Sequence, residues 1–139
     1  MRIGTIGVIN VNILICGGTD FDDWETFFDA VSSLSLFQDP KVDMCILSAH
    51  DGGTSRLAEH YASVRGWRCL SFAREIKGKD GLITFIKYAE MLDRADGIVI
   101  FWDGKNKDIE QVIRLAKLSN RATVVFDYYG KLIDNFTKL

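Results

Sequence analysis

The chain has 139 residues, of which 47% are hydrophobic, and a formal net charge of -2. That length suits one domain around one core, and the hydrophobic share excludes long disorder. The charge argues against general DNA or RNA binding, which wants a basic face over several phosphates. No apolar run reaches the roughly 18 residues of a membrane span.

The N-terminus, MRIGTIGVINVNILIC, is apolar but broken by Gly4, Gly7, Asn10 and Asn12. It runs straight into the first predicted strand, Val11–Cys16, so no signal peptide is expected there, and residues 1–10 are read as an optional extra edge strand. CGGTDF follows, and then Trp24, Phe27, Phe28, Val31 and Leu34 at helical spacing, with Asp22 or Asp23 as cap. The second strand, Val42–Leu47, leads into LSAHDGGTSRL and a helix carrying Leu57, Ala58, Tyr61, Ala62 and Val64, with Thr54 or Ser55 as cap. The third strand, Arg68–Phe72, is followed by the loop Ala73–Lys79 and a helix patterned by Leu82, Phe85, Ile86, Ala89 and Leu92. Asp93 to Asp96 reads as that helix's end and a loop. The fourth strand, Gly97–Phe101, runs into WDGKNK and a helix with Ile109, Val112, Ile113 and Ala116, with Asp108 as its candidate cap. The fifth, Thr123–Phe126, precedes a tail over 128–139 with no assigned element.

This alternation predicts a single α/β domain over 1–139, with its core at about 11–127. It would be a Rossmann-like, doubly wound, mainly parallel sheet of five or slightly more strands, with helices on both faces. Ligands in such folds sit beyond the carboxyl ends of the strands. Cys16, Cys45 and Cys69 lie in apolar runs without paired spacing, which predicts free buried thiols in a reducing compartment. With only His50 and His60 as further soft ligands, no metal site is expected.

Three loops meet at the predicted ligand edge. In CGGTDF, Gly17 and Gly18 allow a close backbone approach, but Asp20, Asp22 and Asp23 oppose a phosphate. A glycine turn with aspartate caps explains it equally well. In SAHDGGTS, Ser48, Thr54 and Ser55 offer hydroxyls, while His50 and Arg56 offer positive charge. An ordinary helix cap is the competing explanation. His50 has no nucleophile placed beside it by sequence, which argues against a triad base. In WDGKNK, Asp103-Gly104 forms a turn, and Lys105 and Lys107 either reach an anion or stay solvated. Trp102 either stacks on a base or packs. Glu25 and Glu59 read as exposed helix charges.

Taken in order, GGTDF, LSAHDGGTSRLAEHYASVRGW and AEMLDRADGIVIFWDGKNKDIEQVIRLAK resemble the SLOG superfamily of Rossmann-like domains. Within it, the resemblance is to the small YspA/YpsA-related group, over about Asn12 to Asp127. It implies a glycine-lined pocket for a nucleotide or nucleotide-derived molecule, used for sensing or sequestration. Gly17, Gly18, Thr19 and Phe21 would come from the first loop. Ser48, His50, Gly52, Gly53, Thr54 and Ser55 would come from the second, and Asp103, Gly104, Lys105 and Asn106 from the third. Some relatives cleave the base from a nucleoside monophosphate, and in that case Asp20, Asp51 or Asp103 would be the acid or base.

The chain departs from the family pattern in several places. Thr19 stands where Arg is common, Ala49-His50 replaces a close-approach glycine pair, Ser55 replaces an acid, and Lys87-Tyr88 replaces Arg-Asn. Asp108-Ile109 replaces Gly-Thr, and the Gly-Gly-x-Gly-Thr-x-x-Glu loop of the base-cleaving relatives is absent. These departures favour binding without efficient catalysis; a degenerate fold used as a protein-interaction module is a third alternative. No cofactor is expected, the partner copy would be a homodimer or larger homo-oligomer, and the predicted location is cytoplasmic.

Overall fold

Strands that are apolar on both faces need a layer of helices on each side. The computed structural model describes residues 9–72 and 88–136. In chain order they form β1 (Ile9–Gly17), α1 (Trp24–Ser32), α2 (Ser35–Gln38), β2 (Val42–Ser48), α3 (Thr54–Arg65) and β3 (Arg68–Ser71). Helical residues 88–94 (α4) follow, then β4 (Gly97–Phe101), α5 (Lys107–Ser119), β5 (Ala122–Phe126) and β6 (Leu132–Asn135). The strands make one six-stranded sheet of order β3-β2-β1-β4-β5-β6. All neighbours are parallel except β6, which is antiparallel to β5. The order reverses between β1 and β4, the switch point of a doubly wound fold.

All five predicted strands are present, and the tail supplies a sixth that the sequence reading left unassigned. The sequence of β6, LIDN, is short and largely exposed, so it carries little periodic pattern. The expectations for Ala73–Lys79, for the front of the fourth helix and for residues 1–8 fall outside the described residues; Ile9 and Asn10 belong to β1. Among the described residues no helix is long and apolar enough to cross a membrane.

Local chemistry sets the helix ends. Asp23 caps α1, its carboxylate accepting from the Thr26 N–H at 3.1 Å and the Thr26 hydroxyl at 2.7 Å. The predicted run to Leu34 stops early: the Ser33 hydroxyl donates to the Ala30 carbonyl at 2.6 Å, and Leu34 becomes the extended residue before α2. Thr54 and Ser55 are the first helical residues of α3 rather than its caps. Asn106, not Asp108, caps α5, accepting from the Ile109 N–H at 3.1 Å. Asp108 lies in the first turn, where its charge suits the helix dipole.

Alternation along β1 divides the core. Ile13 and Ile15 face the α1–α3 layer, while Leu14 and Cys16 face α4 and α5. On the first face Phe27, Phe101 and Phe126 stack in sequence, with centroids 5.2 and 5.3 Å apart. Tyr61 is fully buried there, its hydroxyl bonded to Ser32 and Arg65 at 2.8 and 2.7 Å. Cys16 and Cys45 are buried as expected, but Cys69 is exposed on the edge strand β3.

At the end of β1 the backbone passes so close to β4 that a Cβ on Gly17 would press on the Phe101 carbonyl and lie 2.8 Å from Thr54 Oγ1. A strand carbonyl cannot swing aside as a side chain can. Gly17→Ala is therefore expected to cost about 1–3 kcal/mol in urea unfolding. Leu118→Ala, on the exposed face of α5, should stay within about 0.5 kcal/mol. Equal stability of the two variants would overturn this account of the strand end.

Candidate functional site

The first two glycine loops are bolted to each other. The Gly18 carbonyl accepts from both the Thr54 N–H at 3.1 Å and the Thr54 hydroxyl at 2.9 Å. Gly53 sits at φ +53, and a Cβ there would meet the Thr19 carbonyl, so glycine is required on both counts. Ser55 is similarly occupied: its N–H reaches the Gly52 carbonyl at 3.1 Å and its hydroxyl reaches Asp51 Oδ1 at 2.6 Å. The hydroxyls expected to hold a phosphate thus hold the loops together instead, and two donors at the start of α3 are already used.

Between these loops opens a cleft of about 600 Å3, lined by Thr19, Asp20, Asp22, Asp51, Gly52, Gly53, Arg56 and Leu57. Its size falls within the roughly 300–1,000 Å3 usual for small-molecule sites. Among the described residues its lining carries three carboxylates and one guanidinium. Asp20 is steadied by the Tyr128 hydroxyl at 2.5 Å. Burial, then the Asp20 carboxylate, push that hydroxyl's pKa upward, so it remains a donor. Asp51 Oδ2 accepts from the buried Tyr88 hydroxyl at 3.2 Å. Burial, followed by the charges of its neighbours, also keeps Tyr88 protonated. Asp22 and Arg56 have no hydrogen bond or ion pair among the described residues.

A smaller pocket of about 180 Å3 adjoins the cleft through Gly52 and Arg56 and adds His50 and Glu59. Glu59 is the residue that sequence reasoning missed. Its Oε2 accepts from the Ser48 hydroxyl at 2.7 Å and the Ser71 hydroxyl at 3.2 Å, and it pairs with His50 Nδ1 at 2.7 Å. Ser48 and Ser71 are register partners on β2 and β3, a long-range pairing that leaves no local sequence trace. Partial burial pushes the Glu59 carboxyl up. The hydrogen bonds from His50, Ser48 and Ser71 outweigh it, with help from the His50 charge, and leave the pKa below its ordinary value of 4.5.

The other predicted site residues lie elsewhere. Phe21 is buried between Phe101 and Tyr128, at centroid distances of 4.9 and 4.7 Å, and does not line the cleft. Gly18 is buried beneath the Tyr128 hydroxyl, where a Cβ would collide with it. The third loop is occupied with itself. Asp103 Oδ1 accepts from the N–H groups of Lys105 and Asn106, both at 2.8 Å, and these bonds lower its pKa. Neither Asp103, Gly104, Lys105 nor Asn106 lines the cleft. Trp102 donates to the Asn106 carbonyl at 2.9 Å and lines a separate groove of about 220 Å3 with Ile113, Val125 and Ile133.

Because Glu59 titrates lower in the folded chain than in the unfolded one, its contribution to stability is complete above the ordinary value of 4.5 and drains away as pH falls through the folded value. Urea unfolding from about pH 7 to about pH 3.5 should show a shallower acid loss for Glu59→Gln than for the parent. An identical acid limb in both proteins would count against the network.

A family model described as "YspA, cpYpsA-related SLOG family" matches residues 11–77. That segment carries β1 to β3 and both interlocked loops. No curated protein and no solved structure matches the chain. Similarity to a SLOG family points to nucleotide-related ligand binding or processing and to no particular reaction. Over residues 11–77 the chain is similar to the YspA, cpYpsA-related SLOG family, and its Rossmann-like sheet and paired glycine loops agree with that likeness.

Proposed function

We propose that the chain binds a nucleotide-derived small molecule in the cleft between the loop after β1 and the loop after β2. The observation that carries this reading is the make-up of that cleft: Asp20, Asp22 and Asp51 on its walls, with Arg56 as the one cation among the described residues. Carboxylates accept hydrogen bonds from sugar hydroxyls, as the acidic residue of dinucleotide-binding folds does from a ribose. The same carboxylates repel a chain of phosphates. The cleft therefore suits a ribosyl group with few charges better than a nucleoside triphosphate. Two of the three candidate acids, Asp20 and Asp51, share this cleft, and Asp103 does not. Binding needs only the first two as acceptors, whereas catalysis would need one of them freed from Tyr128, or from Ser55 and Tyr88.

Calorimetry against nucleosides, nucleoside mono- and triphosphates, cyclic nucleotides and ADP-ribose should give heat from at least one ribosyl ligand, with the triphosphates weakest. Asp22→Ala, at a side chain with no partner among the described residues, should lower affinity by about three- to tenfold, the value of one hydrogen bond of roughly 1 kcal/mol, without altering unfolding. Silence across the whole panel would overturn the reading.

A further inference from the structure

The small pocket beside the cleft combines two features. One is Arg56, a cation without a partner among the described residues; the other is an imidazole held from behind. His50 is in the left-handed backbone region at φ +55, a conformation that costs energy for a side chain of this size. Its N–H donates to the Ser48 hydroxyl at 3.1 Å, and its Nδ1 lies 2.7 Å from Glu59 Oε2. An ionised carboxylate can only accept, so Nδ1 carries a proton and donates it to Glu59. The far nitrogen, Nε2, has no partner among the described residues. The pocket holding His50, Gly52, Arg56 and Glu59, at about 180 Å3, is below the usual size for a whole ligand. It has room for one small group on a ligand seated in the larger cleft.

We propose that this pocket is a subsite for a single phosphate-type dianion, held by the Arg56 guanidinium and by His50 Nε2–H, and that its occupation draws one proton onto His50. The ring is then an imidazolium between two anions, Glu59 behind and the phosphate in front. Among the described residues the charged groups facing it are Glu59 and Arg56, both from α3. Asp51, next in the chain, is turned to Ser55 and Tyr88. From β3 comes the Cys69 thiol, which burial and then the Glu59 charge keep protonated, and from β2 and β3 come the hydroxyls of Ser48 and Ser71. Arg56 alone would bind the anion at any pH. The addition of His50 makes affinity fall as pH rises and the imidazole loses its proton.

The inference rests on the proposed cleft, and its test separates the two. The sequence contains two histidines, His50 and His60, so imidazole nitrogen NMR resolves both rings of the full chain. Titration with inorganic phosphate, then with nucleoside 5′-monophosphates and the matching nucleosides, is expected to convert His50 to the doubly protonated form with the phosphorylated probes alone. Calorimetry in buffers of different ionisation enthalpy should show proton uptake for those probes near neutral pH. Arg56→Ala and His50→Asn should each weaken monophosphate binding about tenfold. Asparagine is chosen because it tolerates the left-handed backbone. Glu59→Gln should abolish proton uptake while binding persists in weakened form, the mark of a positioning residue. His60→Gln should change nothing. If nucleosides bind as tightly as their monophosphates and the His50 resonances do not move, the subsite is wrong and the cleft stands. If no probe binds at all, both fail.

Discussion

One carbonyl sets the geometry of the site. Gly18, immediately after β1, takes two hydrogen bonds from Thr54, one from its backbone and one from its hydroxyl. That pair of bonds joins loops 36 residues apart and brings the start of α3 against the end of β1. Other features follow from this contact. Gly17 has no room for a side chain because Thr54 and Phe101 already fill the space. Gly53 must be glycine because its backbone passes over the Thr19 carbonyl. The cleft is what remains between the two loops once they are tied.

The same contact decides the electrostatics. In many doubly wound proteins the first N–H groups of a helix face an anion. Here Thr54 and Ser55 give theirs to Gly18 and Gly52, so those two N–H groups do not face an anion, and the Arg56 side chain is the cation beside them among the described residues. Arg56 is one residue further along α3, and Glu59 lies one turn beyond Ser55 on the same helix. Spacing along one helix thus separates a cation with no partner among the described residues from a carboxylate bound to β2 and β3. The third loop does not line the cleft, and Asp103 takes up the N–H groups of Lys105 and Asn106.

Sequence pattern revealed the frame because the frame depends on local periodicity. Five apolar runs separated by helical spacing specify a parallel sheet almost by elimination, and each run became a strand. β6 escaped because a four-residue exposed strand has no periodic pattern to read. The cysteine reading held for Cys16 and Cys45, which lie in central strands, and failed for Cys69, because β3 is an edge. Site chemistry was less legible because it depends on register. Ser48 and Ser71 meet at Glu59 only because β2 and β3 pair with those two residues opposite each other. The bond from Tyr128 to Asp20 spans 108 residues. Neither contact has a sequence spacing that could have announced it.

The family departures take on a physical meaning in this light. A glycine at position 50 would give a flexible approach for a ligand's backbone contacts; a histidine there, in the left-handed region, gives a ring whose direction is fixed. The strain is tolerated because the residue is tied at its amide by Ser48 and at its ring by Glu59. A serine at position 55 in place of an acid leaves Asp51 as the acidic group, and the serine hydroxyl holds that carboxylate in place. The substitutions therefore exchange a glycine-lined backbone cradle for one built from oriented side chains. Under the proposed binding role such a site would gain selectivity, since each fixed side chain rejects ligands that leave it unpaired. On that proposal its discrimination rests on where a ligand carries its hydroxyls and its single charge, rather than on how many phosphates it has.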